Sequence, residues 1–73
     1  MKLKDIVNMA LTYTYIDKRT GIEHMVKPDY KLEGDNLRIL TPVITYKIVV
    51  LRRLLYIAKL KYNIIVGYPD DNL

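Results

Sequence analysis

Between Thr41 and Ile65 the chain reads TPVITYKIVVLRRLLYIAKLKYNII, its longest apolar stretch, and any fold must first find cover for it. At about 100° per residue, Ile44, Ile48, Leu51, Leu55, Ala58 and Tyr62 fall on one seam, the spacing of a packed helix face. Val43, Tyr46, Val50, Leu54, Ile57 and Ile64 follow a second seam beside it. Thr45, Arg52, Tyr56, Lys59 and Asn63 form a narrow polar stripe opposite. Thr41-Pro42 reads as the helix start, a hydroxyl cap followed by the position where proline's missing N–H costs nothing. A competing reading exists. Val43 to Val50 is rich in β-branched and aromatic residues, so a strand to about Leu51 with helix only beyond it is the alternative. The seam persists past that stretch and favours the helix.

The same stretch cannot cross a bilayer. Lys47, Arg52, Arg53, Lys59 and Lys61 lie within it, and each central cation costs about 2.5–3.5 kcal/mol on insertion scales. The N-terminus has no apolar core of a secretory signal. The expectation is a soluble, intracellular protein without a transmembrane segment.

Upstream, residues 2–11 place Leu3, Ile6, Val7, Ala10 and Leu11 on one face of a short helix, stable only when docked. Period two then takes over. Tyr13 and Tyr15 alternate with Thr12, Thr14 and Ile16, and Asp17-Lys18-Arg19-Thr20-Gly21 is a hairpin connection with Gly21 in the left-handed conformation. Ile22 to Val26 returns. After the Pro28-Asp29 break, Tyr30–Leu32 and Leu37–Leu40 make a second hairpin around Glu33-Gly34-Asp35-Asn36. Ile64-Ile65-Val66 before Gly67 has the makings of a short strand. The expected fold class is α+β: a short N-terminal helix, a small antiparallel sheet of three or four strands, and a long C-terminal helix packed on one face. Residues 1–69 form one domain in this reading, and 70–73 a flexible tail.

Seventy-three residues lie near the lower limit for a self-sufficient core, and without cysteine no disulfide can assist. A helix apolar on two seams needs two covering surfaces, and the N-terminal helix is too short to provide a whole one. The surplus is expected to meet a second copy, giving a homodimer, or a larger protein partner. Val43, Tyr46, Val50, Leu54, Ile57 and Ile64 are the candidate interface residues.

Charge is unevenly spread. Residues 1–35 hold six Lys/Arg and six Asp/Glu, whereas residues 36–69 hold six cations and no acid. Lys47, Arg52, Arg53, Lys59 and Lys61, joined by Lys18 and Arg19 at the hairpin tip, are therefore candidates for nucleic-acid binding. The plainer reading is that these side chains solvate a helix while their stems cover apolar area. An anionic membrane surface is a more distant partner for the same face.

Chemistry is limited by what is missing. There is no Ser, Cys, Gln, Trp or Phe, so a serine or cysteine nucleophile is excluded. His24 stands alone, too few for a histidine-rich metal site, and as a strand neighbour of Glu23 it should face away from it. Gly21, Gly34 and Gly67 are separated turn residues rather than a phosphate loop. Asp29, Lys31, Glu33 and Asp35 are explained by turn chemistry better than by a nuclease-like acid and lysine set. No catalytic residue, metal or cofactor is expected. Seven tyrosines and no other large aromatic suit either an interface or base stacking; the plainer account of Tyr13, Tyr15 and Tyr30 is cross-strand packing against a helix.

The expected order of elements in a small basic chain resembles in outline double-stranded-RNA-binding modules and small toxin domains. The lysine cluster that such modules carry at the start of the last helix has no counterpart in Thr41 to Tyr46. The expected function is a small non-enzymatic interaction protein, of the compactness of a viral or mobile-element accessory protein, with nucleic-acid binding as the alternative.

Overall fold

A computed structural model describes residues 2–67. It is α+β, with two helices and two small sheets: α1 (Leu3–Leu11), β1 (Tyr13–Ile16), β2 (Glu23–Val26), β3 (Tyr30–Glu33), β4 (Asn36–Ile39), α2 (Thr45–Ile57) and β5 (Asn63–Val66). The 70–73 tail of the sequence reading lies outside the described residues.

β1 and β2 form an antiparallel pair of their own, while β3, β4 and β5 make a second sheet in the order β3-β4-β5. β3 and β4 are antiparallel, but β5 lies parallel to β4, with Leu37 opposite Ile64 and Ile39 opposite Val66. The single antiparallel sheet expected from the sequence is therefore replaced by two sheets, one of them mixed. The reason is topological: parallel neighbours need a crossover, and α2 is that crossover. β4-α2-β5 is thus one unit, its ladder flanked by N–H bonds from Asn63 to Asp35 O (3.0 Å) and from Gly67 to Ile39 O (2.8 Å).

The C-terminal helix is also shorter than expected. It starts at Thr45, after Ile44 as N-cap, with no side-chain cap. Thr41 does not cap it. Its hydroxyl accepts the Asp29 N–H, and Leu40 N–H donates back to Asp29 O at 2.8 Å, so Thr41 fastens the entry of β3 to the exit of β4. At the other end the chain leaves α2 through Ala58. Lys59 N–H bonds to Tyr56 O (3.0 Å) and Leu60 N–H to Leu55 O (2.9 Å), the paired bonds of a Schellman ending. That motif needs a left-handed residue, and Lys59 supplies it with φ of +59°.

The core comprises Ile6, Val7, Ala10 and Leu11 of α1, Leu37 and Ile39 of β4, and Ile48, Leu51 and Leu55 of α2. The face predicted for α1 is the one buried. On α2, Ile48, Leu51 and Leu55 bear out the middle of the first seam, whereas Ile44 is exposed at the N-cap and Tyr62 lies beyond the helix; helix rather than strand holds over 45–50. Leu37 and Ile39 alternate with Arg38, whose guanidinium lies on the other face of the sheet. There Arg38 Nε donates to Glu33 Oε1 at 2.7 Å and Nη1 to Gly67 O at 3.0 Å, tying all three strands together.

Both hairpin turns follow their sequences. Asp17 Oδ1 accepts the Arg19 N–H (2.8 Å), Gly21 N–H bonds to Asp17 O (2.7 Å), and Gly21 takes φ of +70°. In the second turn Gly34 has φ of +63° and Asp35 does not follow it, the glycine-first arrangement of a type II′ turn.

Lys59 occupies a conformation that disfavours a side chain by about 1 kcal/mol or more. Lys59→Gly is expected to raise the unfolding free energy by about 1 kcal/mol in urea denaturation, with the slope unchanged.

Candidate functional site

The molecule measures 41 × 37 × 18 Å. Its short axis holds one helix layer on one sheet layer, since packed layers are separated by about 10 Å. The outer side of each layer therefore has no third layer over it.

On the helix layer, the outer side of α2 carries Tyr46 (70% exposed), Val49, Tyr56 and Ile57 (68% exposed). Tyr46, Val49, Arg53 and Tyr56 are spaced three, four and three apart, and Tyr46, Val50, Arg53 and Ile57 four, three and four. Both patterns set these side chains along one length of helix surface. The second seam is thus divided. Tyr46 and Ile57 face outward, while Val50 and Leu54 are half-buried against the core. Val43 precedes α2 and Ile64 belongs to β5, and both also pack on the core.

The β1–β2 hairpin is a second open surface. Every residue of β1 is exposed, as are Glu23, His24 and Met25 of β2. Register puts Tyr13, Tyr15, His24 and Val26 on one face and Thr14, Ile16, Glu23 and Met25 on the other. Tyr15 stacks on His24 with ring centroids 5.3 Å apart. Tyr15, half exposed, therefore pairs across the strands rather than against a helix, whereas Tyr30, in β3, packs against the core as Tyr62 does. His24 and Glu23 do lie on opposite faces. At the hairpin base, Leu11, Tyr13, Pro42, Val43, Ile44 and Lys47 line an apolar groove of about 460 Å³.

The cations do not form one face. About 100° per residue sends Lys47, Arg52 and Arg53 in directions roughly 100–140° apart around α2. Lys47 lies half-buried by the apolar groove, and Arg53 sits amid the exposed apolar side chains. Arg52 and Lys61 meet at the far end, where Asp35, Tyr56, Tyr62 and Asn63 complete a polar groove of about 510 Å³. Lys59 and Lys61 border a neighbouring depression with Tyr56 and Ile57. Lys18 and Arg19 are exposed at the hairpin tip. Arg38 is engaged with Glu33 and Gly67.

Among the described residues no group of three or more His, Cys, Asp or Glu side chains is placed to hold a metal ion. No helix among the described residues is long and apolar enough to cross a membrane. Comparison with protein-family models, with curated proteins and with solved structures returned no match.

Sequence reasoning missed Ile16, Ile22, Met25 and Val49 as exposed apolar positions, while Tyr56 is exposed as its place on the polar stripe implied. The signal was an inventory: α1, β4 and α2 consume one another's apolar faces, and no element is left to cover the first hairpin.

Core and surface positions of α2 should respond differently to charge. Ile57→Asp, at dilute concentration, is expected to change the unfolding free energy by no more than about 0.5 kcal/mol. Leu55→Asp, two positions away and 3% exposed, should leave the chain unfolded by circular dichroism.

Proposed function

We propose that this chain is a small non-enzymatic interaction protein that self-associates, or docks on a larger partner, through the outer side of α2. The observation that carries this reading is the row formed by Tyr46, Val49 and Ile57, exposed on a helix whose opposite side already fills the core. Tyrosine and isoleucine flanking an arginine make a surface suited to a protein interface, since aromatic and arginine side chains are the usual anchors of such contacts. Val50 and Leu54, also assigned to the interface from sequence, contribute their outer edges. Their packing on the core makes them poor probes, because charge there unfolds the chain.

Tyr46→Glu and Ile57→Glu are the discriminating substitutions. Sedimentation at micromolar concentration should find the parent chain heavier than a monomer and each variant at least about tenfold weaker in assembly, with unchanged far-UV circular dichroism. A parent chain that remains monomeric and carries no co-purifying protein contradicts the reading.

A second reading, nucleic-acid binding, has one specific observation in its favour: Arg52 and Lys61 share a groove with Tyr56 and Tyr62, cations beside stacking surfaces. Asp35 in the same groove and the dispersal of the remaining cations weigh against it. If the groove binds nucleic acid, Arg52→Glu combined with Lys61→Glu abolishes binding seen at about 50 mM salt. If no single- or double-stranded DNA or RNA binds under that condition, this reading falls.

A further inference from the structure

We propose that β1 is an open strand edge on which β1 of a second copy of this chain adds, antiparallel, about a twofold axis through Thr14. The two hairpins become one four-stranded sheet in the order β2-β1-β1-β2. The inference rests on self-association but names another surface, carried by a different observation.

The hairpin lies outside the core, and among the described residues β1 and β2 have no other strand beside them. A lone two-stranded ribbon is marginal in water, and a third strand or a packed face is what stabilises it. The two edges differ in chemistry. β2 runs Glu23-His24-Met25-Val26 into Lys27-Pro28, with charge at both ends and a proline, the residues that guard an edge against pairing. β1 and the residue before it read Thr12-Tyr13-Thr14-Tyr15-Ile16, uncharged and entirely β-branched or aromatic. Only the β1 edge invites another strand.

Backbone direction fixes the register. Asp17 donates its N–H to Ile22 O at 2.9 Å across the hairpin. By the alternation of antiparallel ladders, Tyr15 and Tyr13 also bond inward to β2, and Thr14 and Ile16 point their N–H and C=O away from it. A second β1 centred on Thr14 meets those outward groups with its own. Thr14 exchanges two hydrogen bonds with its copy and Ile16 reaches Thr12 of the copy, giving about four backbone bonds in all. Tyr13 then stands opposite the copy's Tyr15 on the face that already holds Tyr13, Tyr15 and His24. Threonine pairs with threonine and tyrosine with tyrosine, both favourable cross-strand neighbours. A twofold axis requires such self-complementarity, and the central residues of TYTYI supply it. The same register carries Lys18 and Arg19 alongside the carboxyl end of the copy's α1, whose last turn has no cation of its own.

Thr14 also provides a selective test. Proline there deletes an N–H that faces away from β2, so the hairpin ladder is kept while the added strand is refused. The chain has no cysteine, so Thr14→Cys introduces a single thiol. In the paired sheet it meets its copy at a Cα separation of about 5.5 Å, within disulfide range. Met25→Cys, on the same face of the hairpin but in the outer strand, would lie about 14 Å from its copy. Sedimentation of the full chain at micromolar concentration should show Thr14→Pro at least about tenfold weaker in assembly, with the circular dichroism of the parent. Mild oxidation should crosslink Thr14→Cys into a covalent dimer and leave Met25→Cys monomeric.

If Thr14→Pro assembles as the parent does and Thr14→Cys fails to crosslink, strand addition is wrong. Should Ile57→Glu dissociate that same assembly, the helix-face reading stands without it. If instead Thr14→Cys crosslinks and Ile57→Glu has no effect, the strand edge is the interface and the α2 surface is not. A parent chain monomeric throughout the micromolar range overturns both strand addition and self-association through α2.

Discussion

Leu51 is wholly buried where α1, α2 and β4 meet, and the rest of the structure depends on that junction. A helix can offer its full apolar width to a core only if something lies on each side. Here α1 is nine residues long and β4 contributes two buried side chains, Leu37 and Ile39. Together they cover the Ile48, Leu51 and Leu55 side of α2 and no more. Burial of a large aliphatic side chain stabilises by about 1.5–3 kcal/mol, so eight such residues and one alanine make a modest core. Apolar surface beyond it stays in water or finds another chain.

The fold around that junction economises on connections. α2 serves both as half the core and as the crossover that lets β5 lie parallel to β4. Arg38 secures the arrangement from the opposite face, reaching from the middle strand to Glu33 on one side and Gly67 on the other. One of the six cations in the basic half of the chain is thereby structural. Charge asymmetry in a sequence is not yet a charged face, because direction around a helix changes with every residue. Lys47, Arg52 and Arg53 are the case in point.

Local periodicity was legible: the buried face of α1, the first seam of α2 and both hairpin turns were readable from the spacing of apolar residues and the position of Gly21 and Gly34. Long-range pairing was not. Nothing in Asn63–Val66 by itself indicates a parallel neighbour, because strand direction is set by the crossover rather than by the strand. The ends of α2 were misread for a related reason. Thr41 has the chemistry of a cap, but its hydroxyl is engaged by Asp29, far away in sequence. At the other end Lys59, in a place that usually belongs to glycine, hid the helix stop. At the candidate sites, Tyr46 and Ile57 were readable from the second seam, while the open hairpin required knowing that every other element was already engaged.

We propose that the apolar surface outside this small core is covered by another chain, with the open edge of β1 as one contact. Amide hydrogen exchange measured across a dilution series tests it most directly, read at Leu51 for the core and at Thr14 and Ile16 for the edge. Leu51 should be protected at every concentration, whereas protection of Thr14 and Ile16 should appear only as concentration rises. Exchange at Thr14 and Ile16 that stays fast at the highest concentration, or is equally slow at the lowest, would contradict it.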